Sequence, residues 1–172
     1  MALRFRRILC PVDLSSFSRG ALKLAAQVVQ SCNGTLYLLH VIDNPYDELY
    51  MSSITQADPA LIELYKSEPF KRSQVLDATI QHSKVLVKQF CHDTIRAVPK
   101  VRYIIESGDP FDRIIGVAEF RKIDLIVLAT HGRTGMKRLI IGNVAEKVVR
   151  HAPCPVLSVK ERVINRKGRN RP

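Results

Sequence analysis

Residues 124–150 read Asp-Leu-Ile-Val-Leu-Ala-Thr-His-Gly-Arg-Thr-Gly-Met-Lys-Arg-Leu-Ile-Ile-Gly-Asn-Val-Ala-Glu-Lys-Val-Val-Arg. The segment opens on an apolar strand, Asp124–Ala129, and closes on a helix that starts near Gly142. A glycine-bearing loop joins the two. Glycine lets backbone approach a phosphate with no Cβ in the way. A helix start offers unpaired N–H groups and a partial positive charge. Arg133, Lys137 and Arg138 place three cations nearby. The pattern points to a phosphate-bearing ligand, a nucleotide first of all. It is neither a Gly-x-x-x-x-Gly-Lys-Ser/Thr loop nor a Gly-x-Gly-x-x-Gly loop. The same unit is also an ordinary connection in α/β proteins, so its meaning depends on what surrounds it.

Upstream, strand and helix alternate. Ile8–Val12 is a short apolar strand. Residues 16–32 carry Ala21, Leu22, Ala25, Val28, Val29 and Cys32 at helical spacing, with Ser15 or Ser16 as cap and Asn33-Gly34 as stop. Thr35–Ile42 is almost continuously apolar, as in the interior of a parallel sheet. Residues 73–95 form a long helix with Leu76, Ile80, Val87 and Cys91 on one stripe. Val101–Glu106 is a third strand. Asp109 caps the next helix, Pro110 sits in its first turn, and Phe111, Ile114, Ile115 and Ala118 face the core. Residues 143–151 are the last helix and Pro155–Val159 the fifth strand. Residues 43–72 are long for a plain connection. Pro59–Lys66 reads as a short helix there, and Tyr46, Tyr50 and Met51 as a pocket flap or a surface loop.

Five strands with four crossover helices predict a single-domain α/β fold. Its core is a doubly wound five-stranded parallel sheet with helices on both faces, Rossmann-like in outline. Ligands in such sheets bind at the carboxyl ends of the strands, where the strand order reverses. The ends of strand 1 (Pro11-Val12-Asp13), strand 2 (Val41) and strand 4 (Ala129 onward) are the candidates. Asp13 has two readings, a hydrogen-bond acceptor for a base or ribose, or a turn and capping residue.

Composition narrows the class. The chain has 172 residues, and 46% of them are hydrophobic, enough for one folded core. No apolar run is long enough to span a bilayer, and Ile8–Val12 after Arg6-Arg7 is too short for a signal-peptide core. A cytoplasmic protein is expected. Cys10, Cys32, Cys91 and Cys154 lack metal-ligand spacing. The net charge of +11 collects at the ends of the chain. Lys160, Arg162, Arg166, Lys167, Arg169 and Arg171 face Glu161 alone, and Arg4, Arg6 and Arg7 stand near the start. Residues 161–172 read as a basic, disordered tail after a domain spanning 1–160. Stacking aromatics do not accompany those charges, which argues against a nucleic-acid interface.

The motifs together resemble the universal stress protein (UspA) family. The resemblance rests on Ile8–Asp13, Leu39–Ile42, Glu106–Pro110, Asp124–Gly135 and Ala152–Val156, and it covers roughly residues 5–160. It implies a small dimeric, cytoplasmic stress-response protein with an adenine nucleotide alpha hydrolase-like fold. In its ATP-binding branch a Gly-x-x-Gly, nine residues, then Gly-Ser/Thr is found. Here the aligned residues are Ala129-x-x-Gly132, nine residues, then Gly142-Asn143. Alanine at 129 is tolerable at negative φ, and asparagine at 143 keeps a side chain that can cap the helix. By resemblance, Pro11, Val12, Asp13 and Val41 surround adenine and ribose. Leu128, Ala129, His131, Gly132 and Arg133 line ribose and phosphates. Gly142, Asn143, Val144 and Ala145 hold the distal phosphates. The cofactor is ATP or another adenine nucleotide, with Mg as a further possibility. Dimerisation would use the strand Val156–Lys160.

The function expected is therefore nucleotide-dependent signalling through an unknown protein partner. Dedicated metal carboxylates beside the loop are missing from the sequence pattern, so hydrolysis, if any, is very slow. The alternative is a dimeric interaction module that has lost its nucleotide.

Overall fold

Arg7–Pro11 forms β1, and the rest of the molecule is arranged around it. The computed structural model describes residues 5–43, 72–130 and 142–160. In chain order, β1 is followed by α1 (Ser16–Cys32), β2 (Thr35–Ile42), α2 (Arg72–Ile95), β3 (Val101–Ser107), α3 (Pro110–Phe120), β4 (Leu125–Ala129), α4 (Asn143–His151) and β5 (Val156–Val159). The expected flap residues, the short helix at 59–66 and the basic tail at 161–172 lie outside the described residues.

The sheet runs β3-β2-β1-β4-β5, and each pairing is parallel. Parallel neighbours need crossover connections, and helices on both faces supply them. Ile8, Cys10, Leu36, Leu38, Leu125 and Val127 point to one face and pack with α1 and α2. Leu9, Leu39, Ile126 and Leu128 point to the other and pack with α3 and α4. The near-continuous apolar runs are the sequence trace of this burial on two sides.

Local chemistry sets the helix ends. Ser15 caps α1 and its side chain accepts from Ser18 N. Asn33, rather than Gly34, adopts the left-handed conformation (φ 50°) at the far end. Gly34 serves close approach instead, since a Cβ there would lie 2.9 Å from the Phe5 carbonyl oxygen. Asp109 caps α3 through Asp112 N, with Pro110 in the first turn.

Two stripes differ from the sequence reading. On α2 the buried positions are Thr79, Ser83, Val87, Cys91 and Ile95, a strict four-residue ladder. Leu76 and Ile80 are half-buried to its side. Hydrophobicity alone hid the two hydroxyl residues that complete the row. On α3, Val117 is buried beside Ile114 and Ala118, and Ile115 is half-buried.

At the amino edge, Asp124 ties β4 to β1. Its Oδ2 accepts from Arg6 N (2.9 Å) and Arg7 N (2.8 Å), and Oδ1 takes the Arg7 guanidinium at 3.3 Å. Its own N–H donates to the Arg7 carbonyl at 2.8 Å. Burial pushes the Asp124 carboxyl up, but the N–H bonds from Arg7 and Arg6 and the Arg7 guanidinium outweigh it and hold it below its ordinary value. The group is 29% exposed and its partner 40%, so solvent screens part of the attraction. Asp124→Ala is expected to cost about 1–2 kcal/mol at pH 7 in urea unfolding. A depressed carboxyl stabilises above its unfolded value and loses that contribution as pH falls through the folded one. The gap between parent and variant should therefore shrink below the ordinary carboxyl value of 3.8. A gap independent of pH would refute the charged clamp.

Candidate functional site

Strand order reverses between β1 and β4, so their carboxyl ends flank the crevice where a doubly wound sheet takes its ligand. Pro11 pairs with Leu39, which brings Asp13 and Val41, two residues further along each strand, to one height. Ala129 pairs with Val159 and ends β4 on the opposite side of the crevice.

The β1 corner is held by specific polar contacts. Val12 N donates to the Leu39 carbonyl at 2.8 Å. The Val12 carbonyl lies 2.8 Å from His40 Nδ1. A carbonyl can only accept, so Nδ1 carries the proton. His40 is 2% exposed on the sheet face that holds Leu36 and Leu38. Beyond Val12 the chain turns sharply, with Leu14 at φ 64°. Asp13 Oδ1 accepts from both Ser15 N (3.1 Å) and Ser15 Oγ (2.5 Å). Asp13 is thus a turn residue in the structure, one of its two predicted readings, and its carboxylate stays half-buried at the crevice.

On the β4 side, Thr130 is the junction. Its N–H donates to the Val159 carbonyl (3.0 Å), and its own carbonyl accepts from Gly142 N (2.8 Å). The chain at Gly142 therefore lies against Thr130, where β4 has just ended. A Cβ on Gly142 would sit 3.3 Å from the Thr130 oxygen. Glycine at 142 thus permits a close approach, while its φ of −58° is ordinary. Gly142 is the N-cap of α4, and no side chain caps the helix. This corrects the expected capping by Asn143, which is an exposed first-turn residue instead. The hydrogen bond at Thr130 fixes the chain one residue earlier than the asparagine. The first-turn N–H groups of α4 are left to other acceptors. Glu146, the acidic residue of that turn, pairs with Arg150 at 2.9 Å, one turn toward the C-terminal end.

The predicted residues divide by exposure. Pro11, Asp13, Val41, Ala129, Gly142 and Val144 are half-buried and Asn143 is exposed. Val12, Leu128 and Ala145 are at most 5% exposed, with their side chains in the two cores, so they form the floor of the crevice. Ala129 is not among the residues of positive φ, which meets the condition for alanine at that position. His131, Gly132 and Arg133 lie outside the described residues, as do Lys137 and Arg138. His40 escaped the sequence reading as a site residue; its signal was a lone histidine in an apolar strand.

The arrangement presents a hydrogen-bond acceptor at Asp13 and first-turn N–H donors at α4. Among the described residues no group of three His, Cys, Asp or Glu could hold a metal ion. Burial pushes the Cys10 thiol far up and Cys91 up to about 12, and it also raises Cys154, with Asp124 adding to the rise. These three thiols stay protonated and are poor nucleophiles. A groove between β3 and α3, lined by Ile104, Glu106, Asp112, Arg113, Phe120 and Arg121, lies on the outer side of β2, away from the crevice.

Residues 4–160 match the model of the Universal stress protein family. The chain is 28% identical over 162 residues to Universal stress protein MJ0577 of Methanocaldococcus jannaschii, covering 94% of this chain and 99% of that one. The structure of UspA from Lactobacillus plantarum superposes with a TM-score of 0.69 at 29% identity, over 92% of this chain and 99% of that one. The universal stress protein from Archaeoglobus fulgidus in complex with dAMP has a TM-score of 0.59 at 17% identity, covering 92% and 100% of the two chains, a likeness of fold.

The His40 contact has a measurable weight. His40→Leu leaves the Val12 carbonyl unpaired in the core and should cost about 1–3 kcal/mol in urea unfolding. His40→Asn places an amide nitrogen near the position of Nδ1 and should recover part of that loss. Equal destabilisation by both variants would show that packing, not the bond to Val12, is what His40 supplies.

Proposed function

The chain belongs to the universal stress protein family, and on that premise we propose that it binds an adenine nucleotide, ATP first of all, in the crevice between β1 and β4. The observation that carries the reading is the pairing of two ends across that crevice. Asp13 supplies a hydrogen-bond acceptor on one side. The N-terminus of α4, without a side-chain cap, supplies donors and a positive dipole end on the other. The dAMP held by the Archaeoglobus fulgidus relative is consistent with this chemistry.

In this reading Pro11, Val12, Asp13 and Val41 surround the base and ribose. Leu128, Ala129, His131, Gly132 and Arg133 line ribose and phosphates. Gly142, Asn143, Val144 and Ala145 take the distal phosphates through backbone N–H groups. The described residues offer Mg²⁺ no cage of their own, so a divalent ion would arrive with the phosphates. Binding stabilises one conformation of the loop or dimer for a partner protein to read. Turnover is at most slow, and the protein acts in the cytoplasm as a stress-response component. Residues 1–160 form the working domain, with 161–172 as a basic tail.

Homodimerisation through β5 completes the proposal. Among the described residues β5 is an edge strand, with a neighbour on one side only. Leu157 is 37% and Val149 of the neighbouring α4 is 48% exposed. Pairing two such edges removes both liabilities.

Two measurements test these points. Denaturing the purified protein should release an adenine nucleotide, and the stripped protein should bind Mg-ATP at micromolar Kd or tighter by calorimetry. Asp13→Ala or Gly132→Val should abolish that heat. No released nucleotide and no heat at several temperatures would instead favour an interaction module without ligand. In sedimentation velocity the parent should run as a dimer and Leu157→Arg as a monomer; an unchanged dimer would exclude the β5 interface.

A further inference from the structure

We infer that Ser15 is a positioning residue that turns Asp13 into a single-oxygen acceptor, so that the crevice selects a ligand by one donor group. This rests on the nucleotide reading above. Two donors converge on one carboxylate oxygen. Ser15 N donates to Asp13 Oδ1 at 3.1 Å, and Ser15 Oγ donates to the same atom at 2.5 Å. The hydroxyl is fixed from its other side as well, because it accepts from Ser18 N at 3.2 Å as the cap of α1. Its hydrogen therefore has one direction in which to point.

The backbone enforces the same geometry. Leu14 stands between the two residues at φ 64°, a conformation that side-chain-bearing residues seldom adopt. This bend brings Ser15 back onto the carboxylate. On the strand side, Val12 is pinned by Leu39 and His40. Asp13 is held between a fixed strand end and a fixed helix start.

The consequence is chemical selectivity. Oδ1 already accepts two hydrogens, which leaves Oδ2 as the atom for a ligand. A carboxylate oxygen accepts and never donates. The ligand group facing it must therefore be an N–H or O–H, such as the amino group of adenine or a ribose hydroxyl. A keto oxygen or a missing hydroxyl would leave the carboxylate unpaired on ligand binding, which such sites reject strongly. Were Asp13 free to rotate, either oxygen could adapt and the discrimination would weaken.

The test uses the full chain stripped of nucleotide, with adenosine, inosine and 2′-deoxyadenosine as uncharged probes in calorimetry. The parent should bind inosine or 2′-deoxyadenosine about 10-fold or more weakly than adenosine, and which one it is identifies the group at Oδ2. Ser15→Thr keeps the hydroxyl and should retain that ratio. Ser15→Gly removes the hydroxyl yet keeps the N–H and remains an acceptable N-cap, so Tm should fall by only about 1–3 °C. Its adenosine affinity should drop and its ratio should collapse toward one. A ratio retained in Ser15→Gly would overturn the inference. A ligand-free arm separates this from failure of the nucleotide reading. Three-bond couplings of the Asp13 β-protons should report one χ1 rotamer in the parent and averaging in Ser15→Gly. Averaging already in the parent overturns the positioning role. A single rotamer in a parent that binds neither a nucleoside nor Mg-ATP overturns the nucleotide reading and leaves Ser15's hold on Asp13 demonstrated.

Discussion

β1 is hydrogen-bonded on both flanks, to β2 and to β4, and the rest of the molecule depends on that position. Ile8, Leu9 and Cys10 are wholly buried, with helices covering both faces of the sheet. A strand so placed cannot shift by one residue, because every side chain would exchange faces and every ladder bond would break. The first crossover leaves β1 for β2, and the one from β3 passes over to β4 on the other flank, so the carboxyl end of β1 is also where the crevice opens. One burial constraint thus fixes the sheet and the position of its crevice.

Apolar packing does not set the ends of β1, and buried or half-buried polar groups do. At the amino end, Asp124 receives two backbone N–H groups and the Arg7 guanidinium. At the carboxyl end, His40 and Leu39 take the carbonyl and N–H of Val12. Burying a charge or an imidazole costs free energy unless its bonds are satisfied, and these bonds supply the compensation. The strand arrives at the crevice with Asp13 already in place. Thr130 does the same for the opposite side. By bonding both Val159 and Gly142 it holds the start of α4 against the end of β4.

Much of the fold was legible because alternating apolar runs and helical stripes follow directly from burial. Ser15, Asp109 and Pro110 marked helix starts because their preferences are local. The misjudged details share a cause, which is dependence on neighbours remote in sequence. Thr79 and Ser83 are buried on α2, in a row that a stripe drawn from apolar residues alone leaves out. Asn143 had the composition of a cap, but the bond from Gly142 to Thr130 places the cap one residue earlier. His40 stood out only as a lone histidine in an apolar strand, and the Val12 carbonyl it bonds lies 28 residues away.

The sequence by itself determined the element order, the two-sided burial of the strands and the chemical types gathered at 11–13 and 142–145. These follow from periodicity and local propensity, which a chain carries residue by residue. The tertiary structure decided which oxygen of Asp13 is engaged, how closely position 142 approaches Thr130 and which helical N–H groups lack a cap. Those properties depend on distances between segments that meet only after the sheet has formed. No pattern within one segment can encode them, because each hydrogen bond is shared with a partner brought there by the fold.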